Sequence, residues 1–295
     1  MKRAVVTGAS GFVGRSLVAQ LRMQGWDLRF LGRRADQGPH GLAPDWSTQS
    51  LRPALAAFRP DYIFHLAGRT QAKAAQEFYA ANLLPAAQLL DGLEDLPERP
   101  VVVLVGSAAE YGEAPEAAMP VPETHHCAPV SDYGASKLAQ TELGLSRARR
   151  GWPIVVARLF NPVGPGMPEH LALGSFAARL ASGVTSLQVG NLDVRRDFIA
   201  VDEAARLIVE VGQSPQALGQ VVNICSGHAY LLRELVERMV MLVNQPTVIE
   251  PVASRMRPGE MTTFVGCTHR LEALGLAPAA PDFDALLPQM LEAAR

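Results

Sequence analysis

The chain of 295 residues carries 27 basic and 29 acidic side chains, a formal charge of −2, with 48% hydrophobic and 19% charged residues. That near-balance excludes a global attraction to nucleic acid or to an anionic membrane, so any anion site must be local. Three scattered cysteines (Cys127, Cys225, Cys267) form neither a metal-ligand spacing nor a paired framework, and no apolar run approaches the ~18 residues that span a bilayer. The N-terminus enters a strand at once and leaves no room for a signal peptide, so a cytoplasmic protein without membrane, nucleic-acid or metal partner is expected.

In chain order, residues 3–7 read as a short buried strand that runs into Gly8-Ala-Ser10-Gly11-Phe12-Val13-Gly14 and an amphipathic helix through about Met23. Strand, glycine turn and helix together make a dinucleotide-binding turn. Gly8 allows the tight turn, Gly11 lets backbone approach a pyrophosphate, and Gly14 lets the helix pack close to the sheet. The anion then meets free N–H groups and the positive end of the helix dipole. A second strand, Asp27–Leu31, ends at Gly32-Arg33-Arg34. An NAD-selective fold carries an acidic residue near this point. Two guanidinium groups suit a ribose 2′-phosphate instead, which predicts a preference for NADP(H), with NAD(H) still possible.

A third strand, Tyr62–Ala67, ends at Gly68; His65 within it reads as a core imidazole with its hydrogen bonds satisfied. Residues 72–91 read as one alanine-rich helix with Asn82 as its polar exception. The apolar run Val101–Val105 is a central parallel strand covered on both faces, and it ends at Gly106-Ser107-Ala-Ala-Glu110-Tyr111. A proline-rich loop leads to Ser131-Asp132, an N-cap, and then to Tyr133-Gly-Ala-Ser-Lys137. A strand over 154–160, an irregular loop over 161–166, Arg195-Arg196-Asp197-Phe198, a helix from Asp202 and a strand over 221–225 follow. The remainder, with Arg257-Pro-Gly-Glu, is mostly helical. Alternating strands and helices give an α/β fold, a Rossmann-like doubly wound parallel sheet.

Tyr133 and Lys137 are one helical turn apart and share a face. A free phenol ionises only near pH ~10. An ammonium held beside it favours the phenolate and brings it toward neutral-pH proton transfer.

With these residues assembled, the whole chain resembles the extended short-chain dehydrogenases/reductases that modify nucleotide sugars, the NAD-dependent epimerase/dehydratase family. The carrying motifs are Thr7-Gly-x-x-Gly-x-x-Gly14, Asp45-Trp46, His65-Leu66-Ala67, Ser107-x-x-x-Tyr111-Gly, Tyr133-x-x-x-Lys137, Arg158-Leu-Phe-Asn161-Pro-Val-Gly, Arg196-Asp-Phe and Arg257-Pro-Gly-Glu. The resemblance implies a Rossmann domain over 1–164, to which 196–227 returns, and a smaller substrate lobe over 165–195 and 228–295. It implies Ser107, Tyr133 and Lys137 as the catalytic set. Asp45, Trp46, Leu66, Ala67, Gly68 and Leu159 would join the glycine turn, Ser10, Phe12, Val13, Arg33 and Arg34 in holding the cofactor. Asn161, Arg196 and Arg257 would bind the substrate's diphosphate, with Ser107 and Glu110 on the sugar side. Strand alternation, by contrast, turns Glu110 away from the site. Arg196 also reads as an ion-pair partner of Asp197.

Sugar dehydratases of this family carry an acidic pair directly after the Ser/Thr, and Ala108 and Ala109 cannot move a proton, so dehydration is disfavoured. Within the family the motifs are most similar to reductases of GDP-linked 4-keto-6-deoxy sugars. Three activities stay open: reduction of a 4-keto sugar, 4-epimerisation, and NADP(H) sensing without catalysis. A homodimer through helices near 72–91 and 132–149 is implied as well.

Overall fold

The computed structural model describes residues 1–32, 40–43, 45–256 and 261–295. The first half alternates strand and helix: β1 (Arg3–Thr7), α1 (Phe12–Met23), β2 (Asp27–Leu31), α2 (Thr48–Phe58), β3 (Tyr62–His65), α3 (Ala75–Asn82), α4 (Leu84–Gly92), β4 (Val101–Ser107), α5 (Asp132–Ala148) and β5 (Ile154–Leu159). Then come β6 (Asn161–Val163), α6 (Ala172–Ala181), β7 (Ser186–Val189), β8 (Arg195–Arg196), β9 (Phe198–Ala200), α7 (Val201–Gln213) and β10 (Val221–Ile224). The chain ends with β11 (Tyr230–Leu231), α8 (Leu232–Leu242), β12 (Val248–Pro251), β13 (Thr263–Phe264), α9 (His269–Ala273) and α10 (Phe283–Ala293).

Six strands form one parallel sheet in the order β10-β5-β4-β3-β1-β2. The direction of strand addition reverses between β1 and β3, which is where such sheets open a ligand crevice at their carboxyl ends. Side chains alternate across the sheet. Ala4 and Val6 join Leu17, Leu21, Ile208 and Val211 under α1 and α7. Val5 and Ile63 join Leu51, Leu55, Leu89 and Leu90 under α2 and α4. Both faces are dry, which is why these strands read as unbroken apolar runs.

A separate apolar cluster gathers Leu173, Phe176, Leu187, Leu235, Met239, Leu287 and Met290 from α6, β7, α8 and α10. The C-terminal segment does not all belong there, contrary to expectation. Leu271 of α9 is buried in the core on the sheet with Leu274 and Leu276 packed beside it, and Arg270 donates to the Val221 carbonyl. These leucines cover the face of the edge strand β10, which would otherwise be open to water.

Two local expectations also change. The single helix expected over 72–91 is two, α3 and α4, because Pro85 has no N–H to continue the ladder and Asn82 spends its side chain on the loop before α3. Within the loop expected over 161–166, Asn161–Val163 is a short strand paired in parallel with β9. Among the described residues no helix is long and apolar enough to cross a membrane.

Helix α5 lies hard against the sheet. A Cβ at Gly144 would stand 2.4 Å from Leu104 Cδ1. Gly144→Val is therefore expected to destabilise the chain by ~1–3 kcal/mol through overpacking, read as a lower urea midpoint at unchanged slope.

Candidate active site

The turn between β1 and α1 is built for close approach. Gly8 has φ +69°, and a Cβ there would meet the Leu66 and Ala67 backbone at 2.8 Å; one at Gly14 would fall 2.1 Å from the Gly8 carbonyl oxygen. Gly11, the N-cap, supplies no side-chain cap to α1. The amides of the first turn, Phe12 and Val13, thus remain for a ligand anion. Ser10 is exposed beside them, its carbonyl accepting from Arg15. This bare backbone cradle fits a dinucleotide pyrophosphate.

Across the switch point, the Ala67 N–H donates to Thr7 Oγ1 at 3.0 Å and fixes Leu66-Ala67-Gly68 against the turn. Trp46 packs edge-on against His65, with ring centroids 6.0 Å apart. Asp45 accepts from the Ser47 amide and hydroxyl, and these bonds hold its carboxyl below the usual range. His65 is buried, and its Nδ1 lies 3.0 Å from Thr7 Oγ1. Its Nε2, contrary to expectation, has no hydrogen-bond partner among the described residues. Burial, seconded by the Lys137 charge, pushes this imidazole down to about 3, so it is neutral. Arg33, Arg34 and Arg257 lie outside the described residues.

Ser107 ends β4 in register with Leu159 of β5, and α5 delivers the Tyr-x-x-x-Lys pair to the same edge. Ser131 caps α5, its hydroxyl accepting from the Gly134 N–H at 3.1 Å. Gly134 permits the approach, since a Cβ there would meet the Ala109 carbonyl oxygen at 2.4 Å. The Tyr133 side chain lies near that of Ser107, whose hydroxyl favours the ionised phenol, and its ring touches Phe78. The buried Lys137 ammonium donates to the Val105 carbonyl and to Gln140 Oε1, both at 2.6 Å.

Electrostatics at this edge differ from the sequence expectation. Tyr133 is not made more acidic. Burial raises its pKa above the usual 10, the nearby Ser107 hydroxyl pulls it back, and the Glu110 charge raises it further. Lys137 is lowered to about 8 by burial, with Glu110 opposing. Removing water penalises both charged forms, and burial is the largest influence on each group.

On the substrate side, Asn161 Nδ2 donates to the Asp197 carbonyl at 2.7 Å. Arg196 Nη1 donates to the carbonyls of Arg195 and Met261. The buried Asp197 carboxylate accepts from Ser226 N and Oγ, Gly227 N and Gly266 N, so it ties loops together.

Glu110 requires a correction, for it is not on the sugar side. It is fully buried and its carboxylate is spent inside the protein. Oε1 accepts from the Ser107 N–H at 2.7 Å; Oε2 accepts from Thr141 Oγ1 at 2.9 Å and from Arg158 Nε and Nη2 at 3.1 and 2.9 Å.

Sequence reasoning assigned no role to Arg158, Thr141, Gln140 or Asn82. Arg158 carried a signal, since a charge inside the apolar strand 154–159 must find a buried partner. Asn82 also carried one, as the polar residue in an apolar helix. It clamps both backbone groups of Arg69 and donates to Ser136 Oγ, which in turn donates to the Tyr133 carbonyl. Gln140 and Thr141 carried no signal beyond their distance from Lys137.

A model of the NAD dependent epimerase/dehydratase family matches residues 4–225, three-quarters of the chain. The chain belongs to the NAD dependent epimerase/dehydratase family. Among curated members, it is 34% identical over 282 residues to the GDP-6-deoxy-D-mannose reductase of Pseudomonas aeruginosa, covering 92% of this chain and 90% of that one. It is 31% identical over 290 residues to the dTDP-6-deoxy-L-talose 4-dehydrogenase (NAD(P)(+)) of Kitasatospora kifunensis, covering 94% and 91%. Among solved members, RMD from Pseudomonas aeruginosa, complexed with NADPH, superposes with a TM-score of 0.85 at 30% identity over 100% of this chain and 99% of that one. The Rossmann-like fold expected from the sequence is the fold of these epimerase/dehydratase members.

The Lys137 shift has a measurable sign. Its folded pKa of about 8 lies below the ordinary 10.5, so between these values the unfolded chain binds more protons than the folded one. Stability from this group therefore rises as pH climbs from about 8 to about 10.5. The urea midpoint of wild type relative to Lys137→Met is expected to increase across that window; a flat or falling difference would contradict the buried ammonium.

Proposed function

We propose that this chain is an NADPH-dependent reductase of a nucleotide-diphosphate 4-keto-6-deoxy sugar, with GDP-4-keto-6-deoxy-D-mannose as substrate and GDP-D-rhamnose as product. The observation that carries the reading is the half-buried Tyr133 phenol near Ser107 at the carboxyl end of β4, one helical turn from the buried Lys137 and in an environment that keeps its proton on. A ketone being reduced needs a proton donor, and a phenol with a raised pKa is protonated throughout the neutral range. The likeness to the Pseudomonas aeruginosa reductase supports the choice of sugar and nucleotide.

In this reading bound NADPH supplies the hydride to C4. Tyr133 gives its proton to the C4 oxygen as that oxygen becomes a hydroxyl, and Ser107 hydrogen-bonds the same oxygen. Lys137 holds the nicotinamide ribose. Gly8, Ser10, Gly11, Phe12, Val13 and Gly14 receive the pyrophosphate. Asp45, Trp46, Leu66, Ala67, Gly68 and Leu159 line the remainder of the cofactor cleft. Arg33 and Arg34, on sequence grounds, meet the 2′-phosphate, and Asn161, Arg196 and Arg257 meet the substrate diphosphate through charge-assisted hydrogen bonds. Ala108 and Ala109 offer no acid or base for dehydration. The exposed Tyr79 and Leu84 on α3 and α4, with Val130 just before α5, support a homodimer through those helices.

Two measurements test this. Tyr133→Phe should retain the fold and NADPH binding and lose ~10²–10⁴-fold in turnover; near wild-type turnover would remove Tyr133 from the chemistry. One NADPH should be consumed per sugar reduced. Interconversion of sugars without net NADPH consumption would identify an epimerase instead.

A further inference from the structure

Directly behind Ser107 lies a buried charge pair that the reaction outlined above does not use. Glu110 is 0% exposed and Arg158 2%. The Glu110 carboxylate receives four hydrogen bonds from three elements: the Ser107 amide at the end of β4, the Thr141 hydroxyl on α5, and two from Arg158 on β5. The short 3₁₀ turn from Ala108 to Glu110 closes as a reciprocal cap. Ser107 Oγ accepts from the Ala109 N–H while Glu110 reaches back to the Ser107 N–H. The same two residues therefore fix both ends of the turn that carries the Ser107 side chain. The fit leaves no slack. A Cβ at Gly106 would stand 2.6 Å from Glu110 Oε1, and the Arg158 guanidinium lies over the Tyr111 ring at 4.4 Å.

We propose that Glu110 is a positioning residue for the hydride-transfer site: it holds the Ser107 backbone so that the side chain stays at the Tyr133 edge of the sheet, and it keeps a negative charge behind the Tyr133–Lys137 pair. This rests on the reading of Ser107, Tyr133 and Lys137 given under the proposed function. The groups that face the carboxylate come from every element around it. They are Ser107 from β4, Thr141, Tyr133 and Lys137 from α5, Arg158 from β5, and Tyr111 and Cys127 from the loop between β4 and α5. Its charge raises the pKa of Tyr133 and that of Lys137, so it favours the protonated phenol and the charged amine together. Those are the states a proton donor and a ribose-holding cation require. Arg158 compensates Glu110 without cancelling this effect, because both Tyr133 and Lys137 still sense the carboxylate.

The test compares two variants of the full chain by NADPH binding, steady-state kinetics and the pH profile of kcat with the nucleotide-linked keto sugar. Glu110→Gln keeps the shape and loses the charge. Glu110→Met with Arg158→Met replaces the whole pair by apolar side chains of similar length, which restores folding where one unpaired buried charge would not. The expected result for each variant that binds NADPH is a kcat lowered on the order of 10–100-fold, as misplacement of a reacting group causes. The NADPH KM should stay within about twofold, on the same principle that positioning acts on the reacting atoms. The alkaline limb of the pH profile should move to lower pH, because removing the carboxylate lets the phenol ionise earlier. Wild-type kcat and an unmoved limb in the double variant would reduce Glu110 to a structural role and overturn the proposal. Failure of both variants to bind NADPH would overturn it as well, by putting Glu110 in the fold rather than the site. Tyr133→Phe separates the two readings. If it retains turnover, the proposed function falls. If it loses turnover while Glu110→Gln keeps both rate and limb, only the role of Glu110 falls.

Discussion

The site depends on how closely α5 approaches the end of β4. At Gly134 the helix meets the Ala109 carbonyl and at Gly144 it meets Leu104, each at a separation that no Cβ would survive. Around these contacts Tyr133, half-buried, and Lys137, buried, are pressed against the sheet edge. Burial then acts on them in opposite chemical senses but with one outcome: each neutral form gains. The phenol becomes harder to ionise and the amine easier to deprotonate. A tyrosine in this setting begins as a proton donor. Its lysine is anchored to the Val105 carbonyl and Gln140, so it forms part of the wall of the cleft.

The loops proposed to meet substrate are organised by a different buried group. Asp197 gathers amides from the segment after β10 and from residue 266, while its own carbonyl takes the Asn161 side chain. Asn161 follows the end of β5, and Arg196 stands one residue before Asp197. The loops expected to face the diphosphate are therefore tied to the end of the Rossmann sheet through a carboxylate that never needs to touch substrate.

Much of the fold was legible because its signals are local. The apolar runs of β1 and β4, the glycine turn after β1 and the Ser131 cap each follow from backbone chemistry within a few residues. The candidate edge was legible for a related reason: parallel strands align their carboxyl ends, so Thr7 pairs with His65, and Ser107 lies three residues past Leu104, the partner of His65, on the same edge of the sheet. What failed depends on partners remote in sequence. Whether a lysine acidifies a phenol depends on how much water is left around both, and one-turn spacing carries no such information. Strand alternation does not reach Glu110, which lies in the 3₁₀ turn after β4, and the identity of its partner, 48 residues away, lay outside any periodicity. Leu271 likewise belongs to the sheet's core because β10 needs covering, a requirement set by topology.

The Glu110–Arg158 pair is the feature with the poorest justification as a source of stability. Two charges withdrawn from water cost several kcal/mol each, and their attraction commonly does no better than well-packed apolar side chains of the same volume. One of its guanidinium nitrogens, Nη1, has no hydrogen-bond partner among the described residues, which adds to that cost. Neighbouring positions on the strand, Val156 and Ala157, show that this layer accepts ordinary apolar packing. A charge kept in such surroundings has to be explained by what it does to its neighbours, and the neighbours within reach are the Ser107 amide, Tyr133 and Lys137. The cost falls on the fold, while the effect is felt at the three residues that would carry out proton and hydride transfer.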